Sequence, residues 1–200
     1  MTADAEAPRG SRRRGDALLE AIYVAVLEEL ARTGYAALSI EGVAERSRTG
    51  KASIYRRWPS RFELVIDAFD YALPDLAEDP PDTGSVRNDL VAVLRRVAET
   101  MNGTVGSAAR ACLGCLDQDP EIARAVRERV LPRRKAIIKE ILLRGVARGE
   151  VRPEAVTDRF AALGPMLLHS EVLQTGAPIS DDAVEAIVDH VLLPILSPRG

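Results

Sequence analysis

The sequence predicts an all-α fold of about nine helices, and three observations carry that prediction. Apolar residues recur at three- and four-residue intervals in segment after segment. No stretch of any length shows the alternation of a strand, and no internal repeat is evident. Ser, Thr and Asp stand where helices should start, with Gly and Pro where they should stop. A hydrophobic content of 46% is ample for a core and excludes a disordered chain, while 200 residues suit one long or two short domains.

Residues 1–14 hold Pro8, Gly10 and the run Arg12-Arg13-Arg14 without apolar periodicity, which predicts a flexible basic arm. The run is either a solubilising tail or an arm that reaches the DNA minor groove or phosphates. No apolar stretch is long enough for a signal peptide or a membrane span, so a cytoplasmic protein without membrane contact is expected. From Asp16 to Arg32, Leu18, Ile22, Ala25, Val26 and Leu30 repeat at helical spacing, and Gly34 supplies the stop. Ser39 is a good N-cap for a second helix, with Ile40, Val43 and Ala44 on one face. Arg48-Thr49-Gly50 then interrupts the pattern. A third helix starts at Lys51, with Ile54 and Trp58 as its only large apolar residues, one turn apart, so Trp58 should pack against the first helix. A fourth runs from Ser60 to about Ala72, carries Phe62, Leu64, Val65, Ala68 and Phe69, and ends near Pro74.

The acidic, Pro-rich stretch from Leu76 to Gly84 reads as a loop. A helix near Ser85 to Met101 follows, with Leu90, Val93, Leu94, Val97 and Met101 inward, broken by Gly103 and Gly106. Another spans about Ser107 to Leu116. Asp119-Pro120-Glu121 opens a long one with Ile122, Val126, Val130, Ile137, Ile141 and Leu142, which Pro132 must kink or split. Thr157 or Asp158 caps a helix to about Gln174, closed by Thr175-Gly176, and Ser180-Asp181-Asp182 caps the last. That last helix sets Val184, Ile187, Val188, Val191, Leu192 and Ile195 on one stripe.

Chemistry concentrates in the third helix. Lys51, Ser53, Tyr55, Arg56 and Arg57 put cations, a hydroxyl and a phenol on the open sides of a helix barely two turns long, which is what a major-groove reader needs. Charge agrees: residues 1–61 hold 11 Lys and Arg against 8 Asp and Glu, and the remainder 16 against 22, within a net −3. A basic end on an acidic body touches nucleic acid with one part only.

The residues Ile22-Tyr23-x-Ala25 through Gly34-Tyr35, Ser39-Ile40-x-x-Val43-Ala44, Lys51 to Trp58 and Ser60-Arg61-x-x-Leu64 together resemble the N-terminal domain of the TetR family of transcriptional regulators. The chain departs from the family in carrying Arg48 where a small residue, often Gly, is usual, and Gly50 where Ser or Thr often stands. The resemblance implies a repressor released from a palindromic operator by a small effector. It implies DNA contacts from Ser39, Arg48, Thr49, Gly50, Lys51, Ala52, Ser53, Tyr55, Arg56, Arg57 and Arg61. Of these, Lys51, Ala52, Ser53 and Arg56 would lie at or near base edges, and Ser39, Arg48, Tyr55, Arg57 and Arg61 toward phosphate. It divides the chain into the arm 1–14, a helix-turn-helix domain 15–61 and a ligand-binding and dimerisation domain 62–200.

The second half, through D-P-E-I-A-R-A-V-R-E-R-V-L-P-R-R, G-V-A-R-G-E-V-R-P and L-G-P-M-L-L, is similar to a C-terminal ligand domain of the same family. This implies a homodimer through the last two helices, with Ala161, Ala162 and Gly164 allowing close approach. It also implies a pocket among Met101, Cys112, Cys115, Ile141, Phe160, Met166 and possible ligand contact from His169. With only 4% aromatic residues, an aliphatic and sulfur-lined wall suits an apolar or amphipathic effector.

Cys112-Leu113-Gly114-Cys115 is a C-x-x-C, yet no βαβ pattern surrounds it and no further Cys completes a metal site, so buried core or pocket lining is expected. The alternative is a thiol sensor or helical thiol enzyme. No Ser-His-Asp elbow, H-E-x-x-H or phosphate-binding Gly loop is present, so the expectation is a non-enzyme without cofactor or metal.

Overall fold

The computed structural model describes residues 9–72, 80–113, 124, 128 and 131–198, and all regular structure among them is helical. The chain divides into two compact units, Met1–Ala72 with Ala108–Gln118, and Leu73–Ser107 with Asp119–Gly200.

In the first unit, α1 (Arg9–Ala37) is broken at Gly34, whose φ of 76° and ψ of 169° leave the helical region. A side chain is strained at such a φ, so the stop expected from the sequence falls where glycine is required. The helix begins at Arg9, so Arg12-Arg13-Arg14, expected in a flexible arm, is helical; arginine is a good helix former and the two neighbouring glycines do not interrupt it. The rest of the expected arm, residues 1–8, lies outside the described residues. Then come α2 (Ile40–Arg46), α3 (Lys51–Arg57) and α4 (Arg61–Ala72). Helix α4 packs along α1, and Val26, Leu30, Val43, Ile54, Leu64 and Ala68 meet in a core fully withdrawn from solvent.

In the second unit, α5 (Val86–Asn102) carries Leu90, Val93, Leu94, Val97 and Met101 inward as their spacing requires. Ser85 forms no side-chain cap; instead the buried carboxylate of Asp89 accepts from the amide and hydroxyl of Thr83, both at 2.7 Å. Helix α6 (Thr104–Leu113) starts earlier than expected, because Gly103 alone makes the break. Gly106 sits inside it, where an added Cβ would lie 2.1 Å from the Met101 carbonyl oxygen, so this tight corner has room only for glycine. Helix α7 (Leu131–Ala147) begins at Leu131. Pro132 is its second residue; Glu128 upstream is π-helical and residues 129–130 lie outside the described residues, so the kink or split expected at Pro132 falls at that junction. Ile122, Val126 and Val130 lie outside the described residues.

After a 3₁₀ turn at Pro153–Ala155, Thr157 caps α8 (Asp158–Thr175) by accepting from Phe160 N, and Gly176 ends it at φ 64°. Ser180 caps the final helix, α9, which runs Asp181–Ile187, through a π turn at Val188–Leu192, to Leu193–Leu196. Ile141, Leu142, Leu168, Val184 and Val188 join the α5 residues in one core. Arg87 of α5 forks onto both oxygens of Asp189 at 2.7 Å and reaches Glu185, tying α5 to α9.

Three side-chain directions differ from expectation. Ala161 is 1% exposed, and an added Cβ on Gly164 would lie 2.9 Å from Leu94 Cδ2, so both face the core and not a partner chain. Met166, expected inward, is 63% exposed. It follows Gly164 by two residues, about 200° round the helix, and so lies on the far side from the Ala161–Gly164–Leu168 stripe. Val191, expected on the inward stripe of α9, is 40% exposed, while Val184, Val188, Leu192 and Leu196 face in.

Candidate nucleic-acid interface

The reading unit is assembled from local bonds first. Ser39 Oγ accepts from Gly42 N at 3.1 Å and starts α2. At its end Ser47 N bonds to Val43 O, Arg48 N to Glu45 O and Thr49 N to Ala44 O, so the turn into α3 is closed by backbone bonds. Arg48 takes a φ of 54° there, the left-handed region that a glycine would enter freely. Gly50 caps α3 with backbone only, its carbonyl accepting from Ser53 N at 2.9 Å.

Helix α3 has one buried side and several open ones. Ile54 is fully buried and Trp58 nearly so. The Trp58 indole stands edge-on to Tyr23 of α1 at 5.7 Å and donates its N–H to Asp67 of α4 at 2.9 Å. Trp58 thus packs against the first helix as expected. With that face fixed, Lys51, Ala52, Tyr55, Arg56 and Arg57 are exposed and Ser53 is half-buried. Arg57 lies over the Trp58 ring at 5.8 Å.

Two of the expected cations are already engaged within the chain. Lys51 Nζ donates to Glu41 Oε1 of α2 at 2.9 Å, and that hydrogen bond holds the Glu41 carboxyl below its ordinary range. Arg61, expected toward phosphate, donates to the carbonyls of Ala36 and Leu38 and lies over the Tyr35 ring at 4.5 Å. Those bonds tie the start of α4 to the corner between α1 and α2.

A carboxylate that the sequence did not single out holds the pair in place. Glu29 of α1 is 4% exposed and accepts from Arg32 at 2.7 Å and from Arg46 of α2 at 3.2 Å; Arg46 also reaches Glu28. The Arg32 bond, then Arg46, keep its carboxyl below the ordinary range against the opposing effect of burial. Gly42 makes room for it: an added Cβ would come 3.0 Å from Glu29 Oε1. Its spacing carries a signal, since Glu29 follows Ile22 and Ala25 by seven and four residues and so falls on an otherwise apolar stripe, where a carboxylate needs a partner.

The expected ligand residues do not converge on one described cavity. Met101 and Ile141 are buried in the core of the second unit, where Phe160 is half-buried beneath the Arg152 guanidinium at 5.2 Å. His169 Nδ1 lies 2.8 Å from the Pro165 carbonyl of its own helix, and Met166 faces solvent. Cys112 is buried, and Cys115 lies outside the described residues. An open cavity of about 610 Å³ in this unit is lined by other residues, among them Val146, Val151, Arg152 and Pro198. Among the described residues no cluster of three metal-ligating side chains occurs, and no helix is long and apolar enough to cross a membrane.

Comparison with known proteins identifies this arrangement. The family description "Bacterial regulatory proteins, tetR family" matches residues 22–68, and "Tetracyclin repressor-like, C-terminal domain" matches residues 80–191. An HTH-type transcriptional regulator of Mycobacterium tuberculosis is 35% identical over 179 residues, covering 88% of this chain and 86% of that protein. The DNA-binding transcriptional repressor TetR of Mycobacteroides abscessus is 30% identical over 192 residues, 92% of this chain and 97% of the relative. Among solved structures, the TetR family transcription regulator SCO0332 superposes with a TM-score of 0.64 at 29% identity, covering 90% of this chain and 99% of that one.

Proposed function

The chain belongs to the TetR family of bacterial transcriptional regulators, and from that premise we propose that it is a ligand-responsive repressor that seats α3 in the major groove of a palindromic operator. The observation that carries this reading is the open face of α3, where Lys51, Ala52, Tyr55 and Arg56 stand outward on a helix anchored by Ile54 and Trp58. In this reading Lys51, Ala52, Ser53 and Arg56 approach base edges, while Ser39, Arg48, Tyr55 and Arg57 approach phosphate. Thr49 and Gly50 shape the turn. Arg61 positions the start of α4 through Nη1, bonded to the Ala36 and Leu38 carbonyls, and approaches phosphate with the rest of its guanidinium. Lys51 reaches DNA by exchanging the Glu41 carboxylate for a base or phosphate.

The homodimer is assigned to the outward face of the last two helices. Met166 and Leu173 of α8 are 63% and 76% exposed, and Val191 of α9 is 40% exposed, an apolar surface of the kind that a second copy covers. A twofold dimer then offers two α3 helices to successive major grooves, ~34–36 Å apart. The effector is a small apolar or amphipathic molecule held in the second unit, and the protein acts in the cytoplasm. A coupling of ~1–3 kcal/mol would lower operator affinity some 5–150-fold. A thiol sensor or thiol enzyme using Cys112 and Cys115 is not favoured beside these relatives.

The test is fluorescence anisotropy with duplex from the region upstream of the chain's own gene, at several salt concentrations. Two chains per duplex, and tighter binding than to scrambled duplex, are expected. Equal affinity for both duplexes would remove the proposal.

A further inference from the structure

A second kind of site lies between α1 and α4, away from the open face of α3. Asp16, Leu19, Glu20 and Tyr23 of α1 and Tyr71 of α4 line an open cavity of about 430 Å³, within the roughly 300–1,000 Å³ span of small-molecule sites. The Tyr23 and Tyr71 rings lie 5.0 Å apart at 34°, and Tyr71 remains 51% exposed, so one wall of the cleft is an open aromatic face.

The rim carries two carboxylates. Asp16 and Glu20 stand one helical turn apart, both exposed, and neither forms a hydrogen bond or ion pair among the described residues. Farther along α1, Glu28 and Glu29 are met by Arg46, and on α2 Glu41 is met by Lys51. Like charges at this spacing repel, and the negative face of an aromatic ring adds to their potential. The Tyr23 hydroxyl is pushed up, first by burial and then by Asp67, with Asp70 and Tyr71 adding and Arg57 opposing, so the phenol stays neutral. A bare metal ion is a poor match, since no metal-ligating trio occurs among the described residues. A charge attached to an apolar body uses both the carboxylates and the ring.

We propose that this cleft binds a compact lipophilic organic cation, its charge held by Asp16 and Glu20 and its apolar body against Leu19 and Tyr71. The site lies wholly within the first unit and shares no residue with the DNA-facing set or with the proposed effector space.

Calorimetric titration of the full chain with tetraphenylphosphonium, beside the isosteric anion tetraphenylborate, tests it, with Trp58 emission as a second readout because that ring touches Tyr23. One phosphonium per chain, a change in Trp58 emission and no binding of the borate at this site are expected. Asp16→Asn with Glu20→Gln should weaken the cation about fivefold or more, and Tyr71→Leu about two- to fivefold. The exposed charge pair leaves the core untouched, so its variant is informative even if Tyr71→Leu folds poorly. Equal binding of both ions, affinity unchanged in the charge variant, or no saturable binding would overturn the assignment.

Discussion

Glu29 on α1 accepts the Arg46 guanidinium of α2 at 3.2 Å across 17 residues of chain, with its second oxygen bonded to Arg32 at 2.7 Å. The orientation of the helix-turn-helix on its supporting helix thus rests on a buried carboxylate. Glu29→Gln should destabilise the first unit by ~1–3 kcal/mol, the range for hydrogen bonds to charged groups. Because the folded carboxyl is depressed, its contribution is present above the ordinary value of 4.5 and is lost as pH falls through the lower folded value. Denaturant unfolding followed by Trp58 emission should therefore fall more steeply below pH 4.5 in the native chain than in Glu29→Gln. Parallel pH profiles would contradict this role.

Arg48 tests the turn. At a φ of 54° a non-glycine side chain carries strain of ~1–2 kcal/mol, which Arg48→Gly removes, partly offset by the freer unfolded chain. The variant should unfold at equal or higher temperature. If Arg48 meets phosphate, operator binding weakens, and the salt dependence falls by about one counterion. Unchanged affinity and salt slope would leave Arg48 without a DNA role.

Trp58 should prove structural. Trp58→Ala should lose ~3–5 kcal/mol of stability, as large core truncations do. Trp58→Phe keeps the contact with Tyr23 but forfeits the donor to Asp67, for a loss of ~1–3 kcal/mol. Thermal melts of both variants check the order; a stable Trp58→Ala lacking only DNA binding would reverse the assignment.

On the reading face, Tyr55→Phe should weaken binding to all duplexes alike, whereas Lys51→Ala should relax preference at one position by ~1–3 kcal/mol. Glu41→Gln frees Lys51 from its competing partner and should raise affinity for any duplex at low salt. Anisotropy over a set of single-base operator variants separates the three. Indifference to all of them would mean that α3 is not the reader.

The outward face of α8 should hold the dimer. Met166→Glu with Leu173→Glu places charge on surface that is already exposed in the single chain, so the fold should survive while the copies separate. Light scattering should show a monomer and anisotropy a large loss of operator affinity. A persistent dimer would move the interface elsewhere.

What the sequence alone determined is local. Ser39, Thr157 and Ser180 cap helices through bonds to amides three residues on, and Gly34 and Gly176 end helices at positive φ. Such signals need only neighbouring atoms, so element order, the helix-turn-helix and the buried pair Ile54 and Trp58 were legible without a fold. Tertiary structure decided the rest. Lys51 meets Glu41 from ten residues away and Arg61 meets Ala36 from twenty-five, and no spacing rule reveals which cations are taken. Helix α8 carries two apolar stripes, one through Ala161, Gly164 and Leu168 and one through Met166 and Leu173, and periodicity cannot choose between them. The choice was made by Leu94 and Leu192, which close over Gly164 and leave Met166 on the outer face of the single chain.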